Sequence, residues 1–260
     1  MSRIIRLAAI AVFLIAQAGL AWTAEIKVFS TIGVQAALEE LAPKFEKATG
    51  HKLDITWATA AILVKRVQAG ETADLMVLTK QSLDALTKDD KAGAGPDANF
   101  ASSGMAVVVK KGAAKPDIST PDAYKQTLLG AKAIAYSDPA AGGASGVFFA
   151  KSLDRMGIAD QMKAKTKHPP PSGNSAVLVV NGEADLAIQQ EPEVMSVAGV
   201  DVVGPPPGDL NNITIYSAGV GAGSQHTEAA NALIKFLHTP EAAAVFKARG
   251  LKPVDAPKGT

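Results

Sequence analysis

The chain has no cysteine in its 260 residues, which excludes disulfides, thiolate nucleophiles and cysteine-held zinc together. Histidine is scarce. His51, His168, His226 and His238 lie apart, with no i, i+4 pair and no carboxylate at ligand spacing, so neither a metal nor any other cofactor is expected. A basic block is also missing: 26 lysines and arginines against 25 acids leave a net charge of +1, without the electrostatic footprint of a nucleic-acid binder. Two reactive motifs are approached and missed. Gly143-Ala144-Ser145-Gly146 is followed by Val147, where a nucleophile elbow needs a last glycine. Gly219-Val220-Gly221-Ala222-Gly223 lacks the later glycine and the acidic partner of a dinucleotide site. Internal repeats and low-complexity linkers are absent.

What is present begins with an export signal. Arg3 and Arg6 precede an apolar run, Leu7 to Leu20, broken only by Gln17, and small residues follow at Gly19 and Ala21. This is the form of a secretory signal peptide over 1–24, with cleavage after Ala21, Thr23 or Ala24. The run falls short of the roughly 20 apolar residues that span a bilayer, and no cysteine follows for a lipid anchor. The protein is expected in the periplasm.

Beyond the signal, strand and helix patterns alternate. Glu25 to Phe29 alternates inward Ile26 and Val28 with outward Lys27. Val34 to Ala48 then carries Leu38, Leu41 and Phe45 at helical spacing, with Pro43 as an expected kink and Gly50 as the stop. Lys52 to Trp57 is a second strand, Ile62 to Ala69 a helix, Ala73 to Leu78 an apolar strand of the kind buried on both faces, and Gln81 to Lys91 a helix. A β-α-β-α-β-α order predicts a parallel sheet with helices on both faces. In such sheets ligands sit at the carboxyl ends of strands, here Ser30, Thr31 and Gly33, then Thr59, Ala60 and Ala61. A second series starts at the strand Gly104 to Val109. It continues through Ala133 to Tyr136, Lys163 to Lys167, a short helix Asn174 to Asn181, and Ala184 to Gln189. The strand Asn212 to Val220 and helices Glu228 to Leu237 and Pro240 to Ala248 close the chain. The pattern predicts an α/β protein of two lobes, each a mostly parallel sheet flanked by helices. One lobe holds 25–103 and 214–260, and the other, 104–213, is inserted; crossovers near Lys80–Met105 and Pro207–Asn212 form the hinge.

Ala133 to Gly157 is the most telling stretch. A short strand breaks at Asp138-Pro139 into Ala140-Ala141-Gly142-Gly143-Ala144 and turns into a helix at Ser145-Gly146. Glycines let backbone approach a ligand, and the free N–H groups of a helix start favour an anion. Ser145 is the expected N-cap, and Gly143, Ser145 and Gly146 are candidate ligand contacts. Ser172, Gly173 and Asn174 form a turn after three prolines that either faces the ligand or is only a turn.

Taken in order, IKVFSTIGVQAALEELAPKFEKATG, RVQAGETADLMVL, SDPAAGGASGVFFAKSL and FLHTPEAAAVFKARGLKP resemble the molybdate-binding type of periplasmic solute-binding protein, which serves ATP-driven importers. The likeness spans the chain beyond the signal. It implies a periplasmic-binding-protein fold of type II, two lobes closing on a solute, an ABC permease as partner, and a monomer. It also implies a site: a serine after the first strand, a serine after the second, backbone amides in the second lobe and a tyrosine hydroxyl. This sequence has Gly33 at the first serine and Ala60 or Ala61 at the second. Ser145 falls on the helix-start amide, Ser172 on the next backbone contact and Gln190 on the tyrosine. With the hydroxyl donors gone, affinity for molybdate is expected to fall. Gln190, both donor and acceptor, suits a carboxylate or hydroxy acid. The expectation is therefore a receptor without chemistry of its own that captures a small anion, either a small organic acid or a molybdate- or tungstate-like oxyanion. The alternative is an exported hydrolase on the same fold using Ser145.

Overall fold

The structure, a computed structural model, describes residues 23–95 and 98–254. All but the last two residues of the expected signal segment lie outside that range. The first lobe opens with β1 (Glu25–Thr31), a 3-10 turn (Ile32–Val34) and α1 (Gln35–Thr49). β2 (Lys52–Ala58), α2 (Ala60–Gln68), β3 (Leu75–Thr79), α3 (Lys80–Lys88), β4 (Ala92–Gly93) and β5 (Asn99–Ser103) follow. The second lobe runs from β6 (Met105–Lys110) through α4 (Pro121–Gly130), β7 (Ile134–Tyr136) and α5 (Ala144–Arg155) to α6 (Ala159–Lys163). It continues with β8 (Thr166–Lys167), α7 (Ala176–Val180), β9 (Leu186–Gln190), α8 (Glu191–Met195) and β10 (Val200–Gly204). The chain then returns to the first lobe in β11 (Thr214–Gly221), α9 (Thr227–Leu237), α10 (Pro240–Ala248) and β12 (Lys252–Pro253).

The described residues form two sheets. One has the order β12-β5-β11-β3-β1-β2 with β4 on β11, and the other the order β10-β6-β9-β7-β8. The parallel pairs that the sequence predicts make up one side of each sheet, ending in the edge strands β2 and β8: β1 with β2 and β3, and β7 with β8 and β9. Antiparallel pairs make up the other side, because a strand arriving from the other lobe runs back along the sheet: β11 on β3 and β5, and β6 on β9 and β10.

Alternation decides which core each side chain joins. Ile26, Val28, Leu75 and Val77 pack with Leu38, Leu41, Phe45 and Leu233 on one face, while Phe29, Met76 and Leu78 pack with Leu63, Leu83 and Leu86 on the other. That explains the unbroken apolar run of β3. Across the second sheet, Val107, Ile134 and Ile188 meet Phe149 and Leu153; Val108, Ala135 and Ala187 meet Val179 and Val194.

Some expectations need correction. α1 spans Gln35–Thr49 rather than Val34 to Ala48 and contains Pro43 within it, its buried Leu38, Leu41 and Phe45 forming one stripe against the sheet. β5, β10, α6 and α8 were not expected from the sequence. Asn99-Phe100-Ala101-Ser102-Ser103 has too little apolar contrast to read as a strand, and α8 is only five residues long. The chain crosses between sheets at Gly104 and again over 205–213. The two crossings touch: the Met105 N–H donates to Asn211 Oδ1 at 2.8 Å.

Candidate functional site

The carboxyl ends of β1, β2 and β3 face the loop before α5, the Pro169–Gly173 loop and the start of α8 across a narrow cavity of about 40 Å³. On the usual scale for enclosed volumes that holds about three water molecules. Of the residues singled out in the sequence, Thr31, Gly33, Thr59, Ala60, Gly143, Ser145, Ser172 and Gln190 line it. They come from both lobes and are brought together only by the fold.

The remaining four stand elsewhere. Ser30 is fully buried and its hydroxyl donates to the Thr31 carbonyl. Ala61 lies against Gly142, part of an interlobe contact. Gly146 is needed for packing: a Cβ there would sit 2.1 Å from the Ser137 carbonyl oxygen. Asn174 lines an adjoining groove; its Oδ1 accepts from the Ala176 N–H and its Nδ2 donates to the Glu193 carbonyl.

Local folding explains each position. The N-cap of α5 is Gly143, and Ser145 stands inside the first turn, one correction to the expected capping role. No side chain among the described residues caps this helix, so its first amides are left for the cleft. Ser145 is buried, and its hydroxyl has no hydrogen-bond partner among the described residues. Thr59 does two jobs: its hydroxyl donates to the Ala141 carbonyl across the cleft at 3.1 Å and accepts from the Ile62 N–H as the cap of α2. Gln190 faces inward at the end of β9, accepting from Ser103 Oγ at 2.6 Å and donating to Thr214 Oγ1 at 2.8 Å.

Sequence reading missed several wall residues, chief among them Tyr216 and Glu193. Tyr216 comes from β11, in the returning segment, and its hydroxyl lies 3.2 Å from Ser103 Oγ. Thus a tyrosine does stand in this cleft, on a strand other than the one where the family pattern places it. Glu193 lies in α8, whose one mark in the sequence is Pro192 in the first turn flanked by two acids, a cue too short to set a helix against the strand end before it.

Glu193 is the unusual group. It keeps a little surface toward the adjoining groove, yet burial pushes its carboxyl up to about 7 although Gln189 Nε2 donates to its Oε2. Burial and the neighbouring Glu193 charge raise the phenol of Tyr216 as well, so it keeps its proton at neutral pH. The other carboxylate in the wall, Asp138, is occupied in accepting from the Ala140 N–H at 2.9 Å. No histidine, lysine or arginine lines the cavity among the described residues, and no group of histidines and acids there is arranged to hold a metal. Ser145 therefore has no imidazole to activate it as a hydrolase nucleophile.

The cavity is not isolated. On one side it shares Ile32, Gly33, Ser172, Gly173 and Glu193 with a groove of about 320 Å³. On the other it shares Thr79, Ala144 and Thr214 with a groove of about 650 Å³ that includes Lys80 and Lys88. Together they line one channel along the lobe interface, with Asp138 and Glu193 at its centre and, toward one mouth, Lys88 beside a Lys80–Asp84 ion pair of 2.6 Å.

Comparison with known proteins adds three likenesses. A curated aconitate isomerase from Pseudomonas sp is 38% identical over 237 residues, covering 89% of this chain and 88% of that protein. The molybdate-binding protein ModA of Escherichia coli (strain K12) is 26% identical over 240 residues, covering 92% and 93%. Among solved structures, the periplasmic molybdate-binding protein of Azotobacter vinelandii superposes with a TM-score of 0.69 at 21% identity, covering 87% of this chain and 98% of that one. Residues 26–252 match the family described as bacterial extracellular solute-binding protein, and the chain belongs to that family.

Proposed function

We propose that this protein is exported to the periplasm, binds a small polycarboxylate between its lobes, and interconverts isomers of it, as the name of the Pseudomonas relative says of that protein. The observation that carries this reading is Glu193. A pure anion receptor gains nothing from a carboxyl in the wall, since an ionised one repels the ligand. A carboxyl poised near neutral pH is what proton transfer needs.

The shape of the channel supports the same reading. An aconitate, an unsaturated tricarboxylate, is longer than a tetrahedral oxyanion. It would span the centre, where backbone amides and the hydroxyls of Ser145 and Ser172 donate, and reach toward Lys88 and the paired Lys80. The central cavity as it stands is too small for such a solute, so binding requires the lobes to part further than here. That small volume favours a second reading, a receptor for a compact oxyanion handed to an ABC permease, in line with the molybdate-binding relatives. Its weakness is chemical: the hydroxyl donors that the resemblance implies at Gly33 and at Ala60 or Ala61 are missing.

A thermal-shift panel of cis- and trans-aconitate, citrate, molybdate, tungstate and sulfate separates the two. A ligand at a hundred times its Kd stabilises by about 2.7 kcal/mol, several degrees at this size. The expected result is a shift with tricarboxylates, followed in proton NMR by interconversion of cis- and trans-aconitate. A shift with molybdate or tungstate alone would overturn the proposal in favour of the receptor.

A further inference from the structure

We propose that Glu193 is the single acid–base group of this cleft, taking a proton from the methylene carbon of an unsaturated tricarboxylate and returning it at the far end of the same allylic unit. The inference rests on the isomerase reading above and adds the residue and the route. The chemistry balances without a co-reactant. A C–H bond of the methylene breaks, and its proton goes to Glu193. The electron pair spreads over the three allylic carbons and onto the attached carboxylate. A new C–H bond then forms at the former vinylic carbon from the proton on Glu193, and the double bond has moved by one position. Geometry about the new double bond is chosen during that relocation, so cis and trans forms exchange while no atom is gained or lost.

Three features point to Glu193 rather than its neighbours. It borders both the central cavity and the adjoining groove, so a solute lying along the channel passes it. Its carboxyl is aimed by a fixed partner: Gln189 is fully buried, and its Oε1 accepts from both the N–H and the hydroxyl of Ser175, at 2.8 Å and 2.6 Å. That turns Nε2 toward Glu193 and makes Gln189 a positioning residue. The remaining titratable groups around it are unsuited to accept a proton. Tyr216 holds its own proton, Glu39 is exposed across the groove, and Glu191, on the same helix, lines neither the cavity nor the groove. With its pKa raised to about 7 by burial, Glu193 gives and takes a proton with little driving force lost either way.

The test uses the full chain, with trans- and cis-aconitate as probes, followed by proton NMR and calorimetric titration. For Glu193→Gln, kcat should fall by about 10²–10⁴-fold, the usual contribution of a general acid–base group, while Kd stays within about threefold. Glu193→Asp should recover part of the loss, and wild-type kcat/KM should rise with pH through about 7. Gln189→Met, which removes the donor that favours the ionised form, should move that rise to higher pH. A Glu193→Gln variant that binds and turns over within tenfold of wild type overturns the assignment while leaving the isomerase reading intact. Wild-type protein that binds aconitate without converting it overturns both. Because Glu193→Gln replaces a buried ionisable group with a neutral amide of the same shape, its melting temperature at pH 8 shows whether lost turnover is lost folding.

Discussion

Gly33 and Tyr216 form one unit. A Cβ on Gly33 would lie 2.4 Å from the Tyr216 hydroxyl oxygen and 2.8 Å from its Cε1, far inside contact distance. The ring has nowhere to go, since Tyr216 is 1% exposed and its hydroxyl meets Ser103. The space that a side chain at position 33 would take is filled here by a tyrosine from another strand. Gly33→Ala should therefore destabilise by about 1–3 kcal/mol through overpacking, lowering Tm by roughly 2–4 °C per kcal/mol in scanning calorimetry. Gly33→Ser should gain no affinity for molybdate by titration calorimetry. An unchanged Tm in the alanine variant would show that the ring yields. The sequence displays half of this exchange. A glycine where the pattern has serine is visible at once, but its partner belongs to a strand that joins the sheet only after the excursion through the second lobe.

At the scale of elements, the two lobes meet where the start of α2 touches the loop before α5. Thr59 donates to the Ala141 carbonyl, and Gly142, in a left-handed conformation at φ 73, faces Ala61 so closely that a Cβ would lie 2.5 Å from the alanine methyl. This contact uses no ligand, so it holds the lobes together on its own account and sets how much closure energy a solute must supply. Gly142→Ala adds a methyl that the facing alanine leaves no room for and a strained φ, a further cost of about 1 kcal/mol or more. Its Kd for the cleft ligand should change by about tenfold, and Ala61→Gly in the same chain should restore most of the change, read by titration as a double-mutant cycle. Additive effects of the two substitutions would remove the contact from the account of closure. The elements themselves were largely legible, because β1, β2, β3, α1, α9 and α10 bury one face or both and so carry a clear period. α8 was not legible: five residues are too few for a period, and the apolar part that anchors it is Val194 alone with Pro192. The residue with the most chemistry thus lies in an element that the pattern could not show.

For the whole molecule, a group whose neutral form the fold prefers makes stability depend on pH in a direction opposite to the usual carboxylate. The folded pKa of Glu193, about 7, stands above its ordinary 4.5. Below the lower value the carboxyl is protonated in both states, and its contribution to stability is fully present. As pH rises between the two values only the unfolded chain releases its proton, so stability falls, and above the higher value the contribution is lost. At about 1.4 kcal/mol per pKa unit, and allowing for the surface Glu193 keeps, the loss is of order 1–3 kcal/mol. Asp74 works the other way. Burial would raise its carboxyl, but Ser224, the Lys27 N–H and His226 together hold it below the usual value, so the stability it contributes is present at neutral pH and is lost in acid. Comparing wild type with Glu193→Gln cancels Asp74, which both proteins share. The difference in Tm should be near zero at pH 5 and favour the variant by a few degrees at pH 8, measured by scanning calorimetry without ligand. A variant less stable than wild type at pH 8 would mean that the fold holds Glu193 as an anion. Such a carboxylate would not take up a proton near neutral pH, and the proposed shuttle would lose its physical basis.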